Sequence, residues 1–203
     1  MQNLRGSFLI TKNSMTKKDL IETILFIINK ILDYTSAIEE TIPTIFDQKI
    51  KEGESDNGGL STSPSSNDES NNPILEEEDK LTWTDYFYFW IEKMDFNENL
   101  LVLAMMNIDK ILASSEFILT EKNVKNVLFI CMIITQKYYE DQNFNDKDYS
   151  KLIKIDVNDV IKMEVEFLSL IDFSLHIPEE EFLEYKKNIK GIWKKSLSLF
   201  SFD

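Results

Sequence analysis

The sequence predicts an all-α protein: one compact domain of about five helices, with one helix before it and one after. Three observations carry this. Valine and isoleucine are plentiful but recur at three- and four-residue spacing instead of alternating, which is the helical period and not that of a strand. Glycine and proline are missing between residues 74 and 177, so the punctuation that hairpins need is absent. The stretch from Asn123 to Tyr138, NVKNVLFICMIITQKY, keeps no single apolar stripe. A helix apolar on nearly every side is a buried helix, and other helices must surround it.

Taken in order, residues 1–15 carry no periodic pattern and are expected to be loose. Thr16 precedes Asp19 at capping-box spacing, and Leu20, Ile21, Ile24, Leu25, Ile27, Ile28, Ile31 and Leu32 follow at helical spacing. This predicts a helix within 16–42 that fades before Pro43. Residues 43–80 read as a linker. Its centre, Glu52 to Asp79, has nine acidic residues, no basic or aromatic residue, and three of the five glycines. Such a tract buries too little apolar surface to offset its ordering entropy, so it is expected to be disordered.

The helical domain is expected over 81–177. Thr82 with Asp85 repeats the capping-box spacing, ahead of Trp83, Tyr86, Phe87, Trp90, Ile91 and Met94 on one broad face. Asn97 caps a second helix, carried by Leu100, Leu101, Ala104, Met105, Ile108, Ile111 and Leu112 to about Ser114. The buried helix is third. A short fourth falls within 145–153, after the polar turn EDQN. Asp156 caps a fifth with Val157, Val160, Ile161, Phe167, Leu168 and Ile171 on one side. Pro178 and three glutamates then open a last helix over 178–203, with Phe182, Leu183, Tyr185, Ile189 and Trp193, ending in a lysine-rich turn that suits its dipole.

Composition excludes several function classes. With 203 residues, 43% of them hydrophobic, the chain can bury a sizeable core in one or two domains. A formal net charge of -14 argues against nucleic acid and anionic membranes, which would be repelled, so the partners should be proteins. The single cysteine, Cys131, lies in the central apolar run, which rules out a disulfide framework and points to an intracellular protein of the cytoplasm or nucleus. The FLI that follows Arg5 is too short for a secretory signal, and Asn29 and Lys30 break the run from Ile24 to Leu32, so no membrane helix is expected.

Little chemistry is expected either. A lone His176 beside Pro178 has no second ligand or base near it in the sequence, and five glycines leave no phosphate-cradling loop. Cys131 reads as a small core residue, and Met105, Met106 and the aromatic run at 83–90 as packing. Neither a cofactor nor a catalytic group is expected, and the chain is not read as an enzyme.

Two residues break the pattern. The apolar positions of the fifth helix predict an apolar residue at 164, where the sequence places Glu164. An acid on a buried seam is costly unless paired. Lys137, at the end of the central helix and in line with Ile130 and Ile134, is a suitable partner. The alternatives are a lysine that snorkels at a helix terminus and a glutamate at the seam's wet edge.

Three segments, in order and separation, resemble the cyclins, and within them the P/U-type cyclins that include the phosphate-signalling cyclins of fungi. LVLAMMNIDKIL at 101–112 is similar to an apolar run ending in I-D-[RK], here Ile108, Asp109 and Lys110. ITQKYYED at 134–141 resembles an A-x-K-[aromatic or apolar]-x-[DE]-D stretch, with Lys137 at the lysine. KMEVEFLSLIDFSL at 162–175 resembles an L-E-x-E-F-L-x-x-[IL]-x-[FY]-x-L helix, with Glu164 at the first glutamate.

The resemblance implies a five-helix cyclin box that binds the αC helix of a cyclin-dependent kinase and activates it. It implies that Lys137 and Glu164 pair and meet that kinase, flanked by Tyr138, and that Asp141 faces its activation segment. The runner-up reading is a cyclin-fold scaffold without a kinase. The chain departs from the family where a K-[VI]-G-G element is usual: Lys151, Leu152, Ile153 and Lys154 stand without glycine, so the turn after the fourth helix is expected to differ. The acidic insertion is also longer than usual, and reads as a tether or, through Ser63-Pro64, as a segment open to phosphorylation.

Overall fold

The computed structural model describes residues 14–37, 44–47, 81–114, 117–141 and 144–199. Within them the chain forms seven α-helices and no strand: α1 (Lys17–Thr35), α2 (Trp83–Lys93), α3 (Glu98–Leu112), α4 (Val124–Tyr139), α5 (Asp146–Ile153), α6 (Val157–Leu170) and α7 (Glu179–Leu199). Helices α2 to α6 correspond to the five expected over 81–177; α1 precedes and α7 follows them in the chain, and both pack on α3 and join the same core. The expected tether centre and most of the expected loose terminus lie outside the described residues.

Local chemistry sets the helix starts. Thr16 and Thr82 each accept from the backbone N–H three residues on, while Asp19 and Asp85 reach back to the capping residue's N–H. Asn97, Asn145 and Asp156 cap α3, α5 and α6 through single side-chain acceptors.

The core is organised around α4. From Val127 to Ile134 every residue is buried, and α2, α3 and α6 pack around it. Its buried polar groups have partners within the fold. Asn126 Nδ2 donates to the Phe46 carbonyl (2.8 Å), Thr135 Oγ1 to the Cys131 carbonyl (2.7 Å), and Cys131 Sγ to the Ala104 carbonyl (3.0 Å). Burial pushes the Cys131 thiol far above its ordinary range, which leaves it a core residue without thiolate character.

Two details differ from the sequence reading, and a third shows how a turn expected to depart from the family is closed. Residues 44–47, assigned to the linker, contain a 3-10 turn, Ile45–Asp47, whose Phe46 is fully buried and meets Phe117 edge-on with ring centroids 5.8 Å apart. One aromatic residue was enough to anchor a segment whose surroundings carry no period. The last helix runs to Leu199, so Lys194 and Lys195 lie inside it and its final turn is not basic. The turn after α5 closes without glycine because Lys154 itself takes the left-handed conformation, φ 56°.

Two stability changes follow. Phe46→Ala is expected to lower unfolding free energy by about 3 kcal/mol, the usual loss for a buried phenylalanine. Lys154→Gly is expected to raise it by about 0.5–1 kcal/mol, since glycine meets no Cβ penalty at positive φ. Urea unfolding followed by circular dichroism measures both; no loss in Phe46→Ala would place residues 44–47 outside the cooperative unit.

Candidate functional site

The end of α4, the start of α5 and the middle of α6 meet at one point. Lys137 Nζ donates to Glu164 Oε1 at 2.5 Å and, more closely still, to Asp146 Oδ1. The geometry comes from helix placement. Asn145 caps α5 and so puts Asp146 in its first turn, while α6 packs on both α4 and α5 and carries Glu164 to the same spot. Behind the lysine, the Tyr149 ring lies 5.5 Å from Nζ. Its hydroxyl donates to Gln136 Oε1 (2.9 Å), and Gln136 Nε2 donates to the Met94 carbonyl (2.7 Å), so the site is braced as far as the end of α2.

The electrostatics are unequal. Side-chain exposure is 27% for Lys137 and 16% for Glu164. Burial acts to depress Lys137, but two carboxylates outweigh it and hold the ammonium above its ordinary range. For Glu164 burial is the largest effect and raises the carboxyl; Lys137 opposes this, and Asp146 adds repulsion, so the acid stays above the usual carboxylate range. The two directions agree with one ammonium serving two carboxylates. The cluster carries a local charge of -1, and the charged form of Glu164 is disfavoured by the isolated fold.

Around the cluster apolar side chains face outward. Tyr138 is 47% exposed, Ile161 41%, Val165 56% and Phe173 67%. The expectation that Ile161 lies on the core side of its helix is therefore corrected. The buried stripe of α6 is Val160, Met163 and Phe167, with Ile171 just beyond it, while Ile161 and Val165 lie on a second stripe roughly a third of a turn away, with Leu168 partly buried against the core. Glu164 lies between the two. Phe173 follows Asp172, and both are left-handed, with φ 55° and 50°. Two such non-glycine residues in a row are strained by roughly 1–2 kcal/mol each. The Tyr139 hydroxyl donates to the Leu175 carbonyl (3.0 Å), which ties this turn to the end of α4 beside Tyr138.

The sequence-predicted residues thus fall unevenly. Lys137 and Glu164 are in contact; Tyr138 is the next residue on α4 and outward-facing; Asp141 is exposed just beyond the helix. Asp146 was missed, although an Asn-Asp pair opening a helix nine residues after Lys137 was the available signal. Among the described residues, no three His, Cys, Asp or Glu side chains are grouped to hold a metal, and no helix is long and apolar enough to cross a membrane.

Glu164→Gln is expected to leave stability at pH 7 unchanged or slightly higher, because it removes a charge that the isolated fold disfavours. A group with a raised folded pKa favours folding below its unfolded pKa and loses that contribution as pH rises through the folded value. The gap between Glu164→Gln and wild type should therefore close on acidification. Lys137→Ala, which leaves two carboxylates without their counter-charge, is expected to lose about 1–3 kcal/mol, less than a fully buried pair would. Urea unfolding at pH 7 and 5 tests both, and a large loss in Glu164→Gln would make the pair a fold-stabilising element.

Residues 56–176 match the family model for the cyclin N-terminal domain. Among curated proteins, Cyclin-U2-1 of Arabidopsis thaliana is 31% identical over 85 residues, which cover 41% of this chain and 38% of that protein. Cyclin-U2-2 of the same plant is 32% identical over 85 residues, covering 41% and 37%. The matched stretch thus spans well under half the length of these relatives.

Proposed function

The chain belongs to the cyclin family, in its P/U-type branch, and from that premise we propose that it is a regulatory subunit that binds and activates a cyclin-dependent protein kinase. The observation that supports this most is a surface: a half-buried charge cluster with one ammonium for two carboxylates, set among exposed Tyr138, Ile161, Val165 and Phe173. An outward apolar stripe of this kind fits an interface core, and the surplus carboxylate is an acceptor for backbone N–H groups of a partner helix.

In this reading α4 and α6 receive the kinase αC helix, and its docking lets the kinase's own lysine and glutamate pair. This chain supplies no catalytic group; it supplies a rigid surface. Glu164 accepts from the αC backbone, Lys137 holds Glu164 in place, and Tyr138, Val165 and Phe173 exclude water. Asp141, exposed beyond α4, faces the activation segment.

The test is to recover tagged wild type, Glu164→Gln and Val165→Asp from native cell extract and assay bound protein kinase activity. Wild type is expected to bring down a kinase. Losing an interfacial charged hydrogen bond typically costs about 2–5 kcal/mol, so Glu164→Gln should bind at least about 30-fold more weakly while remaining folded. If wild type brings down none, the chain is a cyclin-fold scaffold; if both variants bind like wild type, the kinase docks elsewhere.

A further inference from the structure

The two carboxylates that share Lys137 sit at different depths. Glu164, on α6, has a side chain 16% exposed, while Asp146, in the first turn of α5, is 39% exposed at the rim of the same cluster. Lys137 Nζ donates to both, at 2.5 Å to Glu164 Oε1 and more closely to Asp146 Oδ1. One ammonium therefore answers two acids. The strain of sharing is felt on both sides: the paired carboxylates hold Lys137 above its ordinary range, and the charge of Asp146 helps to keep Glu164 above its own.

In the free chain water screens the surplus negative charge. A helix laid across Tyr138, Ile161 and Val165 removes that water, and an uncompensated charge at the edge of a dry interface is costly. Backbone N–H groups of the docked helix satisfy the oxygens of Glu164, but they bring no net charge. Compensation must then come from a side chain, and that side chain must be a cation. Depth decides which acid it meets. The more deeply set Glu164 is open to a backbone that approaches closely, whereas a rim carboxylate is within reach of a long side chain that lays its stem on the apolar surface and its charge at the edge.

Resting on the kinase reading, we infer that Asp146 is a specificity-determining residue of the docking face, where it pairs with an arginine or lysine that the docked kinase helix presents. Lys137 then passes wholly to Glu164, and each carboxylate has a cation of its own. A kinase with a neutral residue at that place binds more weakly. One with an acid there meets like charge and is rejected, which is discrimination by repulsion as well as by attraction.

The test compares tagged wild type, Asp146→Asn and Asp146→Glu, recovering bound protein kinase activity from native cell extract over a range of chain concentrations at about 50 mM and about 0.3 M salt. Asp146→Asn keeps an acceptor for Lys137 and the cap at Asn145 but removes the charge. It is expected to bind about five- to tenfold more weakly than wild type at low salt, a gap that narrows to about twofold at high salt as the pair is screened. Asp146→Glu keeps the charge and is expected to stay within about threefold of wild type at both. Urea unfolding of both variants close to that of wild type separates lost binding from lost fold. If Asp146→Asn binds like wild type, or is weaker by the same factor at both salts, Asp146 reads no partner charge and the inference is overturned, while weakened Glu164→Gln in the same assay would leave the kinase reading standing. If wild type recovers no kinase activity, the kinase reading fails and this inference with it.

Discussion

The need to cover α4 on every side sets the rest of the architecture. A helix buried from Val127 to Ile134 around its whole circumference cannot stand at an edge, so α2, α3 and α6 close on it from different directions. The same constraint decides where polar chemistry goes. Within the buried length only small or internally bonded polar groups survive: Thr135 bonds back to its own helix and Cys131 to α3, while Asn126 and Gln136 reach loop and turn carbonyls. Full charges are pushed to the two ends, where a long side chain regains water or a partner.

Each end then acquires its character from what packs there. At the C-terminal end the elements α5 and α6 bring carboxylates, and Lys137 is over-supplied with negative charge. At the N-terminal end α2 brings an aromatic face and the end of α5 a second lysine, and burial together with that lysine's charge lowers Lys125. The helix α5 spans both, with Asp146 at its start and Lys154 at its end.

Most of the fold was legible because the signals are local. Capping boxes at Thr16 and Thr82 and the unbroken apolar run of α4 each need only a few neighbouring residues to be read. What escaped depends on contacts distant in sequence. Phe46 looks like linker until Phe117 and Asn126 are placed around it. Ile161 has the right spacing for the core, but a helix packed on one side can bury only one stripe, and Val160 and Met163 occupy it. The Lys137–Glu164 pairing was legible from one apolar seam interrupted by an acid. Asp146 was not, since a carboxylate at a helix start has a sufficient local explanation.

Family membership does not by itself give a function, and the stronger argument for a partner comes from what the isolated fold tolerates at a loss. Replacing a buried ion pair with apolar residues is often neutral or stabilising, so Glu164 is not needed to hold α6 in place. Its raised pKa says the same: burial in the free chain disfavours the charged form relative to a carboxylate in water. Val165 and Ile161 turn apolar surface to water beside it, and two consecutive left-handed residues keep Phe173 exposed. Glu164, Ile161 and Val165 share one helix, α6, where the helix of the proposed partner would relieve the carboxylate and the exposed apolar surface together. A disfavoured carboxylate beside exposed apolar side chains is what the proposed docking surface requires of the isolated chain.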